Sequence, residues 1–386
     1  MTTGSGPTSS VTSSPPPDPT GDAATPVIPY GRQNVEPGDI EAVLSVLQGD
    51  WLTQGPAVEA FEDGLRRVTG ARHAVAFANG TAALHGAAAV AGLGPGDLVA
   101  TSPLTFSASA ACARYVGARP TLVDIDPATL NLDVGAVPAG LDGLVAVHYA
   151  GLPVDLAALA HRPRVVIEDA CHALGALTPD GPVGNCAHSD LACFSFHPVK
   201  PITSAEGGAV TTNDPALADA LRRFRSHGTV PVPEQGPWYY EVRSLGFNYR
   251  LSDLHAALGR SQLERLDHLI SRRNHLADRY RALLADLPVA LPPAAPHGWR
   301  HGYHLFAVQV PDRRRVFEGL HAAGIRVQVH YVPLHHHPVY ADLGFGPSDL
   351  PVTEAAYAGL LSLPLFPDLT DAQQDRVVEA LAALLR

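Results

Sequence analysis

LACFSFHPVKPITSAEGGAV, residues 191–210, contains the only lysine of the chain, Lys200; the rest of a Lys+Arg count of 27 is arginine. Lysine and arginine solvate about equally well, so a chain that favours arginine loses lysine wherever charge alone is needed. A guanidinium stays protonated and is a poor nucleophile, whereas an amine can deprotonate and condense with an aldehyde. Lys200 therefore reads as a Schiff-base lysine. Leu191 to Phe196 is a short apolar and aromatic run, the signal of a buried strand. His197-Pro198 ends it, and Glu206-Gly207-Gly208 leads into a second strand from Ala209 to Thr212. The lysine thus falls on a tight loop at a strand's carboxyl end, where open α/β sheets bind ligands.

Outward from this loop the same rhythm repeats. Short apolar runs at 73–78, 98–101, 121–125, 144–148 and 164–169 precede it and alternate with helical stretches, which predicts a mostly parallel seven-stranded sheet wrapped by helices, an α/β fold. Ile40, Val43, Leu44 and Leu47 share one face of a first helix behind Glu36-Pro37-Gly38-Asp39. A helical stretch from about 252 to 287 crosses towards a smaller α+β domain with strands at 303–310 and 324–330. A last helix starts at the capping-box spacing of Thr370 and Gln373. The expected division is a tail over 1–26, a large domain over 27–270 and a small one over 271–386.

At 386 residues and 46% hydrophobic the chain can bury a large core, and a net charge of −11 disfavours nucleic-acid or anionic-membrane partners. Arg313 to Arg315 reads as a solvated helix start. Cys112, Cys171, Cys186 and Cys193 show no paired framework and suit reduced thiols, so a cytoplasmic protein without disulfides is expected. Residues 1–25 are Ser/Thr/Pro/Gly-rich without an apolar core, which fits a disordered tail rather than a signal or transit peptide. No run long enough to span a membrane is present. His335-His336-His337, near His330, cannot all face one ion on a regular element, and no cysteine or carboxylate joins them at zinc-site spacing; no metal is expected.

A lysine that condenses with an aldehyde suggests pyridoxal 5'-phosphate (PLP), which needs a phosphate cradle, an anion at the pyridine nitrogen and an apolar wall. Ala78-Asn79-Gly80-Thr81 runs from a strand into a helix, so free N–H groups, the Thr81 hydroxyl and the helix dipole can face a phosphate, although the same residues make an ordinary turn and cap. Asp169 ends a strand at the same sheet edge and can keep a pyridine nitrogen protonated; alone it would read as a helix cap or an ion pair. Phe106 can stack on the ring, and His172 can lie against it or bond its phenolic oxygen.

The conjunction of EDACHALGA (168–176), SFHPVKPIT (195–203), EGG (206–208) and LGFNYR (245–250) resembles the DegT/DnrJ/EryC1/StrS sugar aminotransferases over roughly 28–386. The resemblance implies a fold-type-I PLP enzyme and a homodimer with active sites at the subunit interface. By match of motif it implies Lys200 as the covalent lysine, Asp169 as the pyridine partner, Phe106 as the stacking aromatic, Gly80, Thr81 and Ser195 as phosphate ligands, and Asn248 reaching the phosphate from the other subunit. Within the family IPYGRQ (28–33), WLTQGP (51–56), PWYYE (237–241) and His172 are most similar to the branch that makes UDP-4-amino-4,6-dideoxy-N-acetyl-β-L-altrosamine, on the way to pseudaminic acid. Ser204-Ala205 departs from the commoner Thr-Gly or Thr-Ala before Glu-Gly-Gly, and the tail has no family counterpart.

The activity so implied moves nitrogen from glutamate to C4 of a nucleotide-linked 4-keto-6-deoxy sugar. Its rivals are amination of another nucleotide keto-sugar or an inosose, a PLP sugar dehydratase, which in the family carries histidine where this chain has Lys200, and a regulator that binds PLP or sugar without turnover. The charge and the lack of a DNA-reading motif disfavour the last.

Overall fold

The computed structural model describes residues 26–386; the Ser/Thr/Pro/Gly-rich tail lies outside the described residues. Helices α1 (Pro37–Leu47) and α2 (Pro56–Thr69) lead into β1 (His73–Phe77), α3 (Gly80–Val90), β2 (Leu98–Thr101), α4 (Ala108–Tyr115), β3 (Arg119–Leu122), β4 (Gly143–Val147) and β5 (Val165–Asp169). A minimal hairpin, β6 (Leu177–Thr178) and β7 (Gly181–Pro182), precedes β8 (Leu191–Ser195) and β9 (Gly208–Thr212). Then come α5 (Pro215–Phe224), a hairpin of β10 (Thr229–Pro231) and β11 (Tyr240–Val242), α6 (Asp253–Glu264) and α7 (Leu266–Leu283). The chain closes with β12 (Phe306–Gln309), α8 (Arg313–Ala322), α9 (Pro351–Gly359), β13 (Leu360–Leu363) and α10 (Asp371–Leu385).

The main sheet has seven strands in the order β1-β9-β8-β5-β4-β2-β3. Only β9 runs against the others, pairing antiparallel with both β1 and β8. The strands read as continuous apolar runs because both faces are covered. In β8, Ala192 and Phe194 enter the core under α2 and α6, while Leu191 and Cys193 enter the core under α3, α4 and α5. Phe194 is fully buried, which by transfer energies contributes roughly 1.5–3 kcal/mol.

Helix α7 belongs to two cores. Leu266, Leu269 and Ile270 close the first, and Leu276, Ala277 and Tyr280 join β12, β13, α8 and α10 in a separate C-terminal core. Between them Arg273 is 1% exposed and donates to the carbonyls of Tyr303 and Leu365 at 3.2 and 3.1 Å. Ile28 also packs in that C-terminal core and bridges Ile325, so the residues just after 27 are held by the end of the chain rather than by the large sheet.

Three expectations for local structure need correcting. The stretch 252–287 is two helices, with the break at Arg265 (φ −107°, ψ 7°), whose guanidinium pairs with Glu36 and Asp39 beside α1. Residues 324–330 form no strand; they make only isolated bridges, Ile325 to Ile28 and Gln328 to Ser362, and the partner of β12 is β13, which the sequence reading missed. The strand expected at 121–125 starts two residues earlier and stops at Leu122, because Ile125 turns away to pair with Leu132. Arg313 does start a helix, capped by Asp312, and Thr370 with Gln373 makes the reciprocal capping bonds. All four cysteines are unpaired thiols.

Candidate active site

Sheet register decides which residues meet. Phe77 and Ser195 both pair with Gly208, and Asp169 pairs with Cys193 and with Val147. The ends of β1, β5 and β8 and the start of β9 therefore share one edge. Close approach is enforced by glycine: a Cβ on Gly208 would stand 2.3 Å from the Asn79 carbonyl oxygen, and one on Gly80 would stand 2.9 Å from Ser195 Cβ.

A cavity of about 330 Å³ opens on this edge. Gly80, Thr81, Phe106, Asp169, His172, Ser195 and Lys200 all line it, so seven residues singled out from sequence converge. Asn79 caps α3 by accepting from the Ala82 N–H at 2.8 Å, which leaves the first N–H groups of the helix directed at the cavity. Asp169 is 6% exposed. Its Oδ2 accepts from the Ser109 hydroxyl at 2.6 Å and its Oδ1 from the Cys171 N–H at 3.2 Å. Lys200 is half-buried on a turn closed by its own N–H and the His197 carbonyl. Burial lowers its pKa from the ordinary lysine value, while Cys171 and Asp169 pull it back up. Phe106 is 56% exposed.

Asn248 is not in this cavity: it is exposed, in a bridge with Ser226. The sequence reading missed Ser109, Tyr30, His304, His330 and Tyr331. Ser109 offered only a spacing, three residues after Phe106 in the first turn of α4. Tyr30 lies within IPYGRQ and His330 near the histidine run, but no local feature points either at this cavity; His304 and Tyr331 come from segments distant in sequence, and nothing local marks them. A wider cleft of about 550 Å³, between α2 and Arg250, holds none of the seven convergent residues.

The histidine run also needs a correction, because a carboxylate does join it. Glu354 of α9 accepts from His335 Nε2 at 2.7 Å and His336 Nε2 at 2.6 Å, and these bonds tie the segment after Tyr331 to α9. No helix among the described residues is long and apolar enough to cross a membrane.

The residues present fit PLP: a buried carboxylate, an amine of lowered pKa, a helix N-terminus with a glycine that must lack a side chain, and an exposed aromatic side chain surround one cavity. Fold and site together define a PLP-dependent aminotransferase. The chain belongs to the DegT/DnrJ/EryC1/StrS aminotransferase family, whose model matches residues 33–382. It is 36% identical over 380 residues to the spore coat polysaccharide biosynthesis protein SpsC of Bacillus subtilis, covering 93% of this chain and 97% of that one. Helicobacter pylori PseC, an aminotransferase involved in the biosynthesis of pseudaminic acid, superposes with a TM-score of 0.86 at 29% identity, covering 93% of this chain and 99% of PseC. The PLP form of Spr1654 from Streptococcus pneumoniae gives 0.86 at 27%, covering 93% and 98%.

Proposed function

We propose that this aminotransferase moves an amino group from glutamate to C4 of a nucleotide-linked 4-keto-6-deoxy sugar, UDP-2-acetamido-2,6-dideoxy-β-L-arabino-hex-4-ulose. The observation that carries the chemistry is the meeting of Lys200, Asp169 and the α3 N-terminus around one cavity. The likeness to PseC and the motifs at 28–33, 51–56 and 237–241 support the substrate.

Bound here, PLP supplies an aldehyde to take up nitrogen and a ring that withdraws electrons from the carbon losing its proton. The protein does the rest. With PLP bound, Lys200 Nζ would hold it covalently at rest and, once freed, would be the group that takes the proton from Cα of the donor and that later gives a proton to C4 of the sugar, a general acid–base role worth ~10²–10⁴ in rate. Its burial keeps a larger share of the amine unprotonated, as a base must be. Asp169, fixed by Ser109 and Cys171, would hold the proton on the pyridine nitrogen. Gly80, Thr81 and Ser195 would take the phosphate and Phe106 would stack on the ring, while His172 lines the cavity with Lys200.

A screen of nucleotide keto-sugars and inososes with glutamate, read by mass spectrometry, tests the reading. A mass change of ketone to amine is expected for the UDP-linked 4-keto sugar, and turnover of an inosose alone would overturn the substrate. A yellow protein that glutamate does not bleach would favour a binder over an enzyme.

The site is completed by a second copy of the chain, in a homodimer. Asn248 is exposed and outside the cavity, and Leu245, Trp238 and Tyr240 nearby are 92%, 77% and 61% exposed, an apolar surface that burial in a dimer would remove from water. Lys200→Ala mixed with Asn248→Ala is expected to recover about a quarter of wild-type turnover, because half of the dimers are mixed and each carries one intact site. Mixed dimers seen by mass spectrometry without recovered activity would refute the shared site.

A further inference from the structure

The cavity is walled by three aromatic side chains, Tyr331, His172 and His304, that neither the covalent lysine nor the pyridine partner explains. Tyr331 and His304 come from the C-terminal half of the chain and His172 from the loop after β5. Tyr331 Oη lies 3.0 Å from His172 Nε2, and the two rings are within 25° of parallel. Tyr331 also meets Phe106, centroid to centroid 6.0 Å. The His172 and His304 rings are 4.4 Å apart. Both Nδ1 atoms, that of His172 and that of His304, are buried without a hydrogen-bond partner.

Proton counting favours one arrangement. The Tyr331 hydroxyl has no other partner among the hydrogen bonds of the described residues, so if His172 donated from Nε2, the phenol proton would be left unpaired. When the phenol donates, Nε2 accepts and the single proton of a neutral imidazole sits on Nδ1. That arrangement leaves one group of the pair without a partner, His172 Nδ1–H, where the alternative leaves two, the bare His172 Nδ1 and the phenol proton. We propose that Tyr331 is a positioning residue: its hydroxyl donates to His172 Nε2 and fixes His172 as the Nδ1–H tautomer, with the His304 ring packed against it in the cavity wall.

Burial, reinforced by the charge of Lys200, holds both imidazoles well below the ordinary histidine value, and burial lifts the Tyr331 phenol well above its own. All three groups are therefore neutral through the working pH range, the condition that the proton count requires. Functionally, a neutral wall adds no second cation beside Lys200, and the Tyr331 ring lies against both Phe106 and His172. The consequence for the cofactor rests on the aminotransferase reading; the tautomer does not.

Two-bond proton–nitrogen correlation spectra of the cofactor-free protein labelled with ¹⁵N-histidine, with His172→Gln to identify the signal, are expected to show His172 as Nδ1–H with a bare Nε2. In Tyr331→Phe, which keeps the ring and loses the donor, this signal is expected to shift or split between tautomers. In the loaded enzyme the same variant is expected to lose roughly tenfold in kcat with little change in KM for glutamate, and to change the pH dependence of the bound cofactor's absorbance. An Nε2–H tautomer in the wild type, or a His172 signal and cofactor spectrum unmoved by Tyr331→Phe, overturns the proposal. Absence of transamination in the wild type would instead defeat the proposed function and leave the tautomer result standing.

Discussion

Lys200→Arg is expected to leave the protein folded and without measurable transamination, and borohydride treatment of the wild-type holoenzyme is expected to fix the cofactor on the peptide that carries residue 200. Arginine keeps the charge and nearly the reach, so a loss cannot be put down to a missing cation. What it cannot do is present an unprotonated amine, either as nucleophile towards an aldehyde or as the base that moves a proton. The side chain lies on a half-buried turn in the cavity, where burial already lowers its pKa and favours the reactive form. General acid–base catalysis alone is worth ~10²–10⁴, and loss of covalent attachment adds to it, so a drop of at least roughly 10⁴ in kcat is expected. The chain offers no other lysine to take over. A labelled peptide lacking residue 200, or unchanged cofactor absorbance and turnover in the variant, would remove Lys200 from the role.

The main sheet was legible because a parallel strand covered on both faces is a bare apolar run, and seven such runs stood clear of their turns; where a strand ends was not, as Leu122 and Ile125 show. The antiparallel direction of β9 left no mark, since Gly208 to Thr212 reads the same either way. In the C-terminal part, Leu360 to Leu363 follows directly on α9 without a turn signal, so β13 was hidden by its neighbour. The site divides along the same line. Residues at strand ends, such as Asp169 and Ser195, could be placed by topology alone, because register puts strand ends together. Tyr331 and His304 could not, since their place depends on how α7 docks the C-terminal core against the sheet, and that is a property of packing between Arg273 and the carbonyls around it.

Asp169→Asn is the second large effect expected, and it separates charge from shape. The carboxylate is 6% exposed and both oxygens are engaged, Oδ2 by the Ser109 hydroxyl and Oδ1 by the Cys171 N–H. Asparagine can keep its oxygen on the Cys171 N–H and turn its amide nitrogen to Ser109, whose hydroxyl can then accept while donating to the Phe106 carbonyl, 3.2 Å away. The local hydrogen bonds therefore survive, and the melting temperature should move little. The negative charge does not survive. A neutral amide cannot hold a proton on the pyridine nitrogen against a pH near 7, and without that proton the ring is a poorer acceptor for the electrons of the broken Cα–H bond. Loss of one preorganised electrostatic group in a buried site costs about 10²–10³ in kcat, and that fall, with cofactor still bound, is the expected result. Ser109→Ala should fall by much less, since the Cys171 N–H and the burial of Asp169 remain. A turnover for Asp169→Asn within a few-fold of wild type, measured at saturating cofactor, would show that the carboxylate at the end of β5 is structural.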